Sequence, residues 1–166
     1  MRPPPPEKFL MVPDDYHLNR LGRLEDGRFC FQSTTIWADR PEPPYLDYVC
    51  SFIFDADGGL TEHQIDLLGR RGEYSETKKD MICDRHSDKY GPITPCSVWV
   101  RPFSVDMHGT RFGFVATWVS DDLEGEEADK AMKSPAEEED GHWAVIFEPG
   151  KHFVFYEPWD SGVYDT

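Results

Sequence analysis

LDYVCSFIFDADGGLTEHQIDLL, residues 46–68, has the clearest hairpin pattern in the chain. Its first part, Leu46 to Phe54, is rich in β-branched and aromatic residues, which favour strands. The segment Asp55-Ala56-Asp57-Gly58-Gly59 follows, and such a cluster between two apolar segments is typical of a hairpin turn. Apolar and polar side chains then alternate from Leu60 to Leu68. The stretch therefore predicts an antiparallel β-hairpin.

Three further hairpins are predicted on either side of this one. Each consists of two alternating or apolar segments around a turn that contains glycine. The paired segments are Tyr16–Leu24 with Arg28–Ile36, Val98–Phe103 with Phe112–Ala116, and His142–Glu148 with Lys151–Glu157. Prolines interrupt residues 37–45, and because proline cannot donate to a strand ladder this part is predicted as a loop.

One helix is predicted from Ser75 to Tyr90. Serine is a preferred capping residue, Met81, Ile82 and Arg85 recur at helical spacing, and Gly91-Pro92 ends the pattern. The elements together predict an α+β fold. It consists of a mostly antiparallel sheet of about eight strands in successive hairpins, with one helix packed on it.

The N-terminal residues differ in composition from the rest of the chain. The run Met1-Arg2-Pro3-Pro4-Pro5-Pro6 favours an extended polyproline II arm, so residues 1–13 are predicted as a disordered proline-rich lead. Residues 14–166 are predicted as a single domain. The lead lacks the apolar segment of a secretory signal, and no stretch approaches the roughly 20 apolar residues that span a bilayer. We therefore predict a cytoplasmic protein without membrane association.

Acidic residues dominate the charge of the chain. The sequence has 32 acidic and 17 basic residues, a net charge of −15. Such a field repels phosphate groups, so nucleic-acid binding is not expected and a basic protein partner is favoured. Residues 121–141 hold ten acids against Lys130 and Lys133, a net charge of −8, which leaves −7 for everything else.

This acidic segment is predicted as a surface loop at about positions 120–141, since it is too polar to bury and longer than the usual hairpin connection. It is either a solvated excursion that the fold tolerates or a patch that attracts a basic protein surface. Trp159 and Tyr164, near the C-terminus, either close the end of the core or form an exposed binding patch. The candidate binding residues are Asp121, Asp122, Glu124, Glu126, Glu127, Trp159 and Tyr164.

Two groups of residues partly match metal sites. Residues 55–66 carry acids at the first, third and last of twelve positions, as calcium loops do, but Leu60 stands where such a loop needs glycine. Cys83 and His86 lie three residues apart on the predicted helix and, with Cys96, partly match a zinc site. A hairpin turn and a buried cysteine beside an exposed histidine are favoured instead. We predict no metal site and no cofactor.

No catalytic residue is assigned. Ser161 has glycine after it, but the strand–turn–helix context of a nucleophile elbow is missing around it. An enzyme would need a cleft between the sheet and the helix, where His63 and His86 are the first titratable groups to inspect.

Three segments carry a resemblance to known sequences: Asp15 to Arg28, Trp99 to Val105, and Pro158 to Thr166. They resemble a family of small acidic bacterial proteins to which no activity is attached. The resemblance spans nearly the whole ordered chain. It implies a bacterial source and transfers no cofactor or catalytic residue.

The leading interpretation is a non-enzymatic protein-binding domain that engages a basic partner through its acidic surface, in the manner of small acidic immunity proteins that neutralise basic toxins. One alternative is a small-ligand-binding protein or an enzyme with a cleft between sheet and helix. Another is a self-associating structural domain. The oligomeric state does not follow from the sequence.

Overall fold

The computed structural model describes residues 2–38, 45–120, 140–150 and 153–166. Within these ranges the chain forms strands and one helix, numbered here in chain order. The elements are β1 Phe9–Met11, β2 Leu21–Arg23, β3 Phe29–Ala38, β4 Leu46–Phe54, β5 Leu60–Arg70, α1 Glu76–Tyr90, β6 Thr94–Pro95, β7 Val98–Val100, β8 Phe103–Met107, β9 Thr110–Ser120, β10 Gly141–Glu148, β11 Val154–Phe155 and β12 Tyr164–Asp165.

The described strands form three antiparallel sheets. The first, here called the inner sheet, has the order β5-β4-β3-β2-β6. The second, the outer sheet, has the order β12-β11-β10-β9-β8. The third is a pair of β1 with β7, in which Phe9 lies opposite Val100 and Met11 opposite Val98. Most neighbours in the two large sheets are also neighbours along the chain, as successive hairpins require.

The prediction of a mostly antiparallel α+β fold is confirmed, but the prediction of one continuous sheet is wrong. The chain divides its strands between the inner and the outer sheet and adds the small β1–β7 pair. The physical reason is burial of aromatic side chains. Phe31 and Phe52 are cross-strand partners on the inner sheet, and Phe114 and Phe147 are cross-strand partners on the outer sheet. Two such faces bury each other when they pack together, whereas a single sheet would leave its aromatic face in water.

Contacts between phenylalanine rings join the two sheets. The Phe31 ring centroid lies 5.7 Å from that of Phe114 and 5.9 Å from that of Phe147. Beside this contact, the centroids of Phe52 and Phe103 are 5.1 Å apart. Burial of each such side chain contributes about 2–3 kcal/mol, so this layer is the main source of stability in the fold.

Helix α1 covers the opposite face of the inner sheet. Ser75 caps its start, because the serine side chain accepts a hydrogen bond from the backbone N–H of Lys78, and Gly91 follows its end. The predicted helix is thus confirmed. Ile82 packs with Val49 and Leu68 of the sheet. This helix, the one helix of the described residues, is too short and too polar to cross a membrane.

The predicted hairpins agree with the structure to different extents. The hairpin over residues 46–68 is confirmed as β4 and β5. The predicted strand from Tyr16 shortens to β2, because the Asp14 carboxylate accepts backbone hydrogen bonds from Tyr16 and Leu18, each at 2.9 Å, and turns the chain before the strand. Residues 98–100 form β7 and pair with β1 instead of joining the hairpin of β8 and β9.

Residues 2–13 have more structure than the prediction of disorder over residues 1–13 allows. Phe9 and Met11 are fully buried in the apolar layer between the inner and outer sheets, here called the main core, and their strand β1 pairs with β7. Residues 2–6 precede this strand and are described without regular secondary structure. The alternation of Phe9 and Met11 is the pattern of a strand with one buried face, although it follows a run of prolines.

Candidate functional site

Polar side chains are buried between the inner sheet and α1. Gln32 of β3, Ser51 of β4 and His86 of α1 are each at most 2 % exposed. The register of β3 and β4 places Gln32 directly opposite Ser51, and α1 brings His86 against them. Burial of a polar group is unfavourable unless its hydrogen bonds are made. The partners of these groups therefore decide what the cluster does.

These side chains form one chain of hydrogen bonds, here called the polar chain. Arg20 Nε donates to Gln32 Oε1, and Gln32 Nε2 donates to Ser51 Oγ at 3.0 Å. Ser51 Oγ lies 2.7 Å from His86 Nδ1, and His86 Nε2 lies 2.7 Å from Asp66 Oδ2. An ionised carboxylate only accepts, so Nε2 carries the imidazole proton and Nδ1 accepts from the serine. Every donor in the polar chain then points towards Asp66.

The pKa shifts of the last two groups agree with this arrangement. Burial lowers the pKa of His86 below its usual value, although the neighbouring Asp66 carboxylate acts in the opposite direction. Burial alone would raise the pKa of Asp66, but hydrogen bonds from Gln64 and His86 outweigh it and the pKa is lowered. A neutral imidazole beside an ionised carboxylate is the state that these shifts favour near neutral pH.

Ser51, His86 and Asp66 are the residue types of a hydrolytic triad, but their placement differs from one. In a triad the serine approaches Nε2 and the acid holds Nδ1, whereas here the two partners are exchanged. Ser51 is 0 % exposed and already bonded to both Gln32 and His86, so no substrate carbonyl has access to its oxygen. The polar chain satisfies buried groups under α1. The expectation that His86 is exposed is wrong.

The first residue of the polar chain lines a surface cleft of about 530 Å³ at the C-terminal end of α1. Arg20 Nη2 donates to Ser87 Oγ at 3.1 Å, and its Nε is held by Gln32. The guanidinium is therefore fixed in direction. Asn19 and Asp88 add polar groups to the lining, and Ile93 with two prolines adds apolar surface.

A pair of tryptophans lies near the end of the hairpin of β9 and β10 at which residues 121–140 connect the two strands. Trp118 and Trp143 are direct cross-strand partners, with ring centroids 5.4 Å apart in an edge-to-face arrangement. Gly141 leaves room for the Trp118 indole, because a Cβ atom there would lie 2.9 Å from its ring. We call these three residues the tryptophan platform.

Residues from the N-terminus lie against the tryptophan platform. The Trp143 indole Nε1 donates a hydrogen bond to the Pro3 carbonyl at 2.8 Å. The Arg2 guanidinium carbon lies 4.8 Å from the centroid of the Trp118 ring, within the range of a cation–π contact. A basic, proline-rich segment is thus already seated on this surface.

The acidic candidates Asp121, Asp122, Glu124, Glu126 and Glu127 lie outside the described residues. The two ends of the segment that carries them are placed, since Ser120 of β9 is the cross-strand partner of Gly141 of β10. The acidic segment is therefore joined to β9 two residues after Trp118 and to β10 two residues before Trp143. This proximity joins the predicted acidic feature to the tryptophan platform.

Trp159 and Tyr164 pack against the main core, and neither is fully exposed. The Trp159 carbonyl accepts a hydrogen bond from the Leu10 N–H at 2.7 Å, and the Tyr164 hydroxyl donates to Asp14. Tyr164 also belongs to β12, the edge strand of the outer sheet. These contacts favour the interpretation that the C-terminal segment closes the core. A role of the two aromatics in partner binding stays a prediction.

The other sequence candidates are not brought together. His63 lies opposite Phe52 on the aromatic face of the inner sheet, whereas His86 lies on the helix face. In the turn after β4, the Asp55 carboxylate accepts N–H bonds from Asp57 and Gly59, each at 2.9 Å, which is turn geometry. Over the described ranges, no three acidic, histidine or cysteine side chains form a group that fits a metal ion.

Sequence reasoning missed both tryptophans of the platform, and of the polar chain it named His86 but not Gln32 or Ser51. The tryptophan platform had a signal, because Trp118 continues the alternation of Phe112 and Phe114, and Trp143 continues that of Val145 and Phe147. The polar chain had a weaker one, since it joins residues from three separate elements that only the tertiary fold brings together.

Comparison of the chain with protein-family models, with curated proteins and with solved structures finds no match. The function is accordingly inferred from the residues of this chain.

Proposed function

We propose that the protein is a non-enzymatic protein-binding domain that binds a basic segment of a partner at the end of the β9–β10 hairpin where residues 121–140 connect the strands. The observation that carries the proposal is the Arg2 guanidinium over the Trp118 ring, with the Pro3 carbonyl bonded to Trp143. A surface that holds an arginine of its own chain has the chemistry to hold one from another.

The charge of the segment that connects β9 to β10 supports the same assignment. Residues 121–140 contain ten acids and two lysines, and they connect Ser120 to Gly141. A basic segment is attracted by this charge before it reaches the indole rings, and such long-range attraction raises the association rate more than the final affinity. The ring contact and the indole hydrogen bond then supply short-range recognition.

The proposal is tested with a fluorescein-labelled peptide of alternating arginine and glycine, measured by fluorescence anisotropy over a range of salt concentrations. The comparison variant carries asparagine and glutamine in place of the acids at positions 121–140. We expect the peptide to bind the natural chain, to bind about tenfold more weakly to the amide variant, and to lose affinity as salt rises. An alternating glutamate and glycine peptide is the matched control and should not bind.

A second variant replaces residues 121–140 by Asn-Gly. Because Ser120 and Gly141 are cross-strand partners, this two-residue turn closes the hairpin without changing its register. It removes the charge together with the length of the connection. Two results would overturn the proposal. In the first, the arginine peptide binds none of the three proteins. In the second, it binds all three with the same affinity at every salt concentration.

The cleft at Arg20 favours a second candidate function, the binding of a small anionic molecule. Its guanidinium is held in place by Gln32 and Ser87, which leaves other N–H donors for a carboxylate or phosphate. The Asp88 carboxylate lines the same cleft, so a ligand that also carries an amine or hydroxyl suits it better than a bare anion.

Inorganic phosphate is the simplest probe of this second candidate. Titration should move the backbone amide signals of Asn19 and Gly91 in an NMR spectrum, because both residues line the cleft. Arg20→Gln should abolish these movements, whereas Arg23→Gln, at an exposed position of β2, should leave them unchanged. Absence of movement at both amides, or equal movement in the two variants, would exclude an anion at Arg20.

A further inference from the structure

The tryptophan platform continues the core-facing side of the outer sheet. Trp118 is four residues beyond Phe114 in β9, and Trp143 is four residues before Phe147 in β10, so the even spacing puts all of them on one face. Phe114 and Phe147 are buried in the main core, but neither tryptophan belongs to that core. The face therefore needs another cover at the end of the hairpin where residues 121–140 connect β9 to β10.

Residues 2–6, here called the proline lead, provide this cover. Consecutive prolines favour the polyproline II conformation, in which carbonyl groups project outward without internal hydrogen bonds. One such carbonyl, that of Pro3, accepts from the Trp143 indole. Aromatic surfaces that recognise polyproline segments in other proteins use the same elements, which are flat rings for the proline faces and a donor for a carbonyl.

The proline lead fits this surface incompletely. The Trp118 indole Nε1 is shielded from solvent and has no hydrogen-bond partner among the residues that the structure describes. One of the two indole donors is thus satisfied by the lead and the other is not. A segment that offers an acceptor to both indole donors therefore makes a hydrogen bond that the lead does not make, which favours its exchange for the lead.

We propose that the tryptophan platform binds an arginine-flanked, proline-rich segment of a partner protein, and that the proline lead occupies the platform until the partner displaces it. This inference rests on the proposed function, because it names the sequence class and the conformation of the basic segment taken by the same hairpin. The lead is an internal competitor. The affinity measured for a partner is proportional to the fraction of molecules whose platform is open, so a docked lead lowers it.

The experiment uses a fluorescein-labelled peptide with the sequence of residues 2–8, Arg-Pro-Pro-Pro-Pro-Glu-Lys. A peptide with alanine at the four proline positions has the same charge and is its matched control. The proteins are the natural chain and a full-length variant with glycine at positions 3–6, whose lead cannot hold the polyproline conformation. We expect the glycine variant to bind the proline peptide about tenfold more tightly than the natural chain does, as an open platform requires.

Two further comparisons locate the binding. Trp143→Phe in the glycine variant removes the indole donor but keeps a ring, and should weaken binding of the proline peptide about fivefold. The alanine peptide should bind the glycine variant about tenfold more weakly than the proline peptide does. Equal affinity of the natural chain and the glycine variant for the proline peptide would overturn the inference.

A direct measurement on the free protein covers the case in which a variant folds poorly. The indole N–H of Trp143 should exchange slowly with solvent in the natural chain, because Pro3 accepts its hydrogen bond, and faster in the glycine variant. The indole of Trp99, 43 % exposed, is the internal reference and should exchange equally in both. An unchanged Trp143 rate would show that the lead does not cover the platform.

The remaining outcomes separate this inference from the proposed function. If the proline and alanine peptides bind equally, the platform recognises only the charge of the peptide. The inference is then overturned and the proposed function stands. If neither these nor the arginine–glycine peptide binds, both are overturned. A concentration-dependent dimer of the natural chain that the glycine variant does not form would assign the platform to the lead of a second copy, and the competitor in its own chain would be excluded.

Discussion

Two faces of this molecule are covered by a segment of the same chain, and the two covers are held by different forces. Helix α1 covers the inner sheet through apolar contacts of Ile82 and through His86, which is bonded on both of its nitrogens. The proline lead covers the tryptophan platform through contacts of Arg2 and Pro3. The first cover buries groups that have no access to water, whereas the second uses polar contacts near the surface.

The forces that hold the two covers determine which of them a partner is able to replace. Lifting α1 would expose Val49 and Leu68 and would leave Gln32 and Ser51 without His86 above them, which is close to unfolding the sheet. Lifting the proline lead breaks a cation–ring contact and an indole hydrogen bond, each of about 1 kcal/mol. A fixed cover and an exchangeable cover thus occur in one fold, and substitutions in each should separate them.

The largest effect is expected for His86→Ala. Removal of the imidazole leaves a cavity under α1 and takes a hydrogen-bond partner from both Ser51 and Asp66. We expect the free energy of unfolding to fall by about 3 kcal/mol, as urea denaturation followed by circular dichroism would show.

Asp84→Ala, at an exposed position of the same helix, is the control and should change the free energy of unfolding by less than about 0.5 kcal/mol. Similar losses for the two variants would mean that the polar chain does not hold the helix. The distinction between a fixed cover and an exchangeable cover would then be wrong.

The next effect belongs to the proline lead. Glycine at positions 3–6 removes the preformed conformation and with it the contacts of Arg2 and Pro3. We expect a loss of about 1–2 kcal/mol in the free energy of unfolding. A loss equal to that of His86→Ala would show that the lead is as fixed as the helix and would argue against displacement.

Trp143→Phe should have a smaller effect, of about 1 kcal/mol, because the ring is largely kept and the indole hydrogen bond to Pro3 is lost. The informative quantity is its coupling to the lead. In the glycine variant the same substitution should cost much less, since the hydrogen bond is already broken there. Equal costs in both backgrounds would show that Trp143 and the lead act independently.

The sequence predicts the hairpin of β4 and β5 and the helix α1 well, because both are local patterns. Alternation, a turn rich in aspartate and glycine, and a serine cap all operate within a few residues. The division into two large sheets and the β1–β7 pair depend on contacts between distant parts of the chain. Phe9 lies opposite Val100, and no local pattern encodes that pairing.

The same distinction applies to the candidate sites. The acidic character of residues 121–140 is visible in the sequence, but the platform beside it needs the register that sets Trp118 against Trp143. The polar chain needs more, because Gln32, Ser51 and His86 meet only after β3, β4 and α1 have packed. A histidine at a helical position looks exposed until the face of the helix is known.

The smallest effect is expected from pH, and it again concerns the fixed cover. Burial lowers the pKa of His86 in the folded protein. Below the pKa that this histidine has in the unfolded chain, the unfolded state therefore binds more protons than the folded state does. Stability contributed by His86 should therefore fall as the pH is lowered from 7 to 5. The effect is limited because the Asp66 carboxylate opposes the shift.

His86→Gln provides the matched comparison, since glutamine keeps hydrogen-bonding groups under α1 but does not titrate. The difference in unfolding free energy between the natural chain and this variant should shrink as the pH falls from 7 to 5, because only the natural chain carries the unfavourable protonation. The pKa of Asp66 is lowered in the folded protein, so the stability that this carboxylate contributes is lost only at more acidic pH, below the pKa of the unfolded carboxyl. It therefore does not alter the comparison between pH 7 and pH 5. A difference that grows on acidification would mean that the folded protein favours protonated His86. The direction of hydrogen bonding from Ser51 to His86 would then have to be reversed.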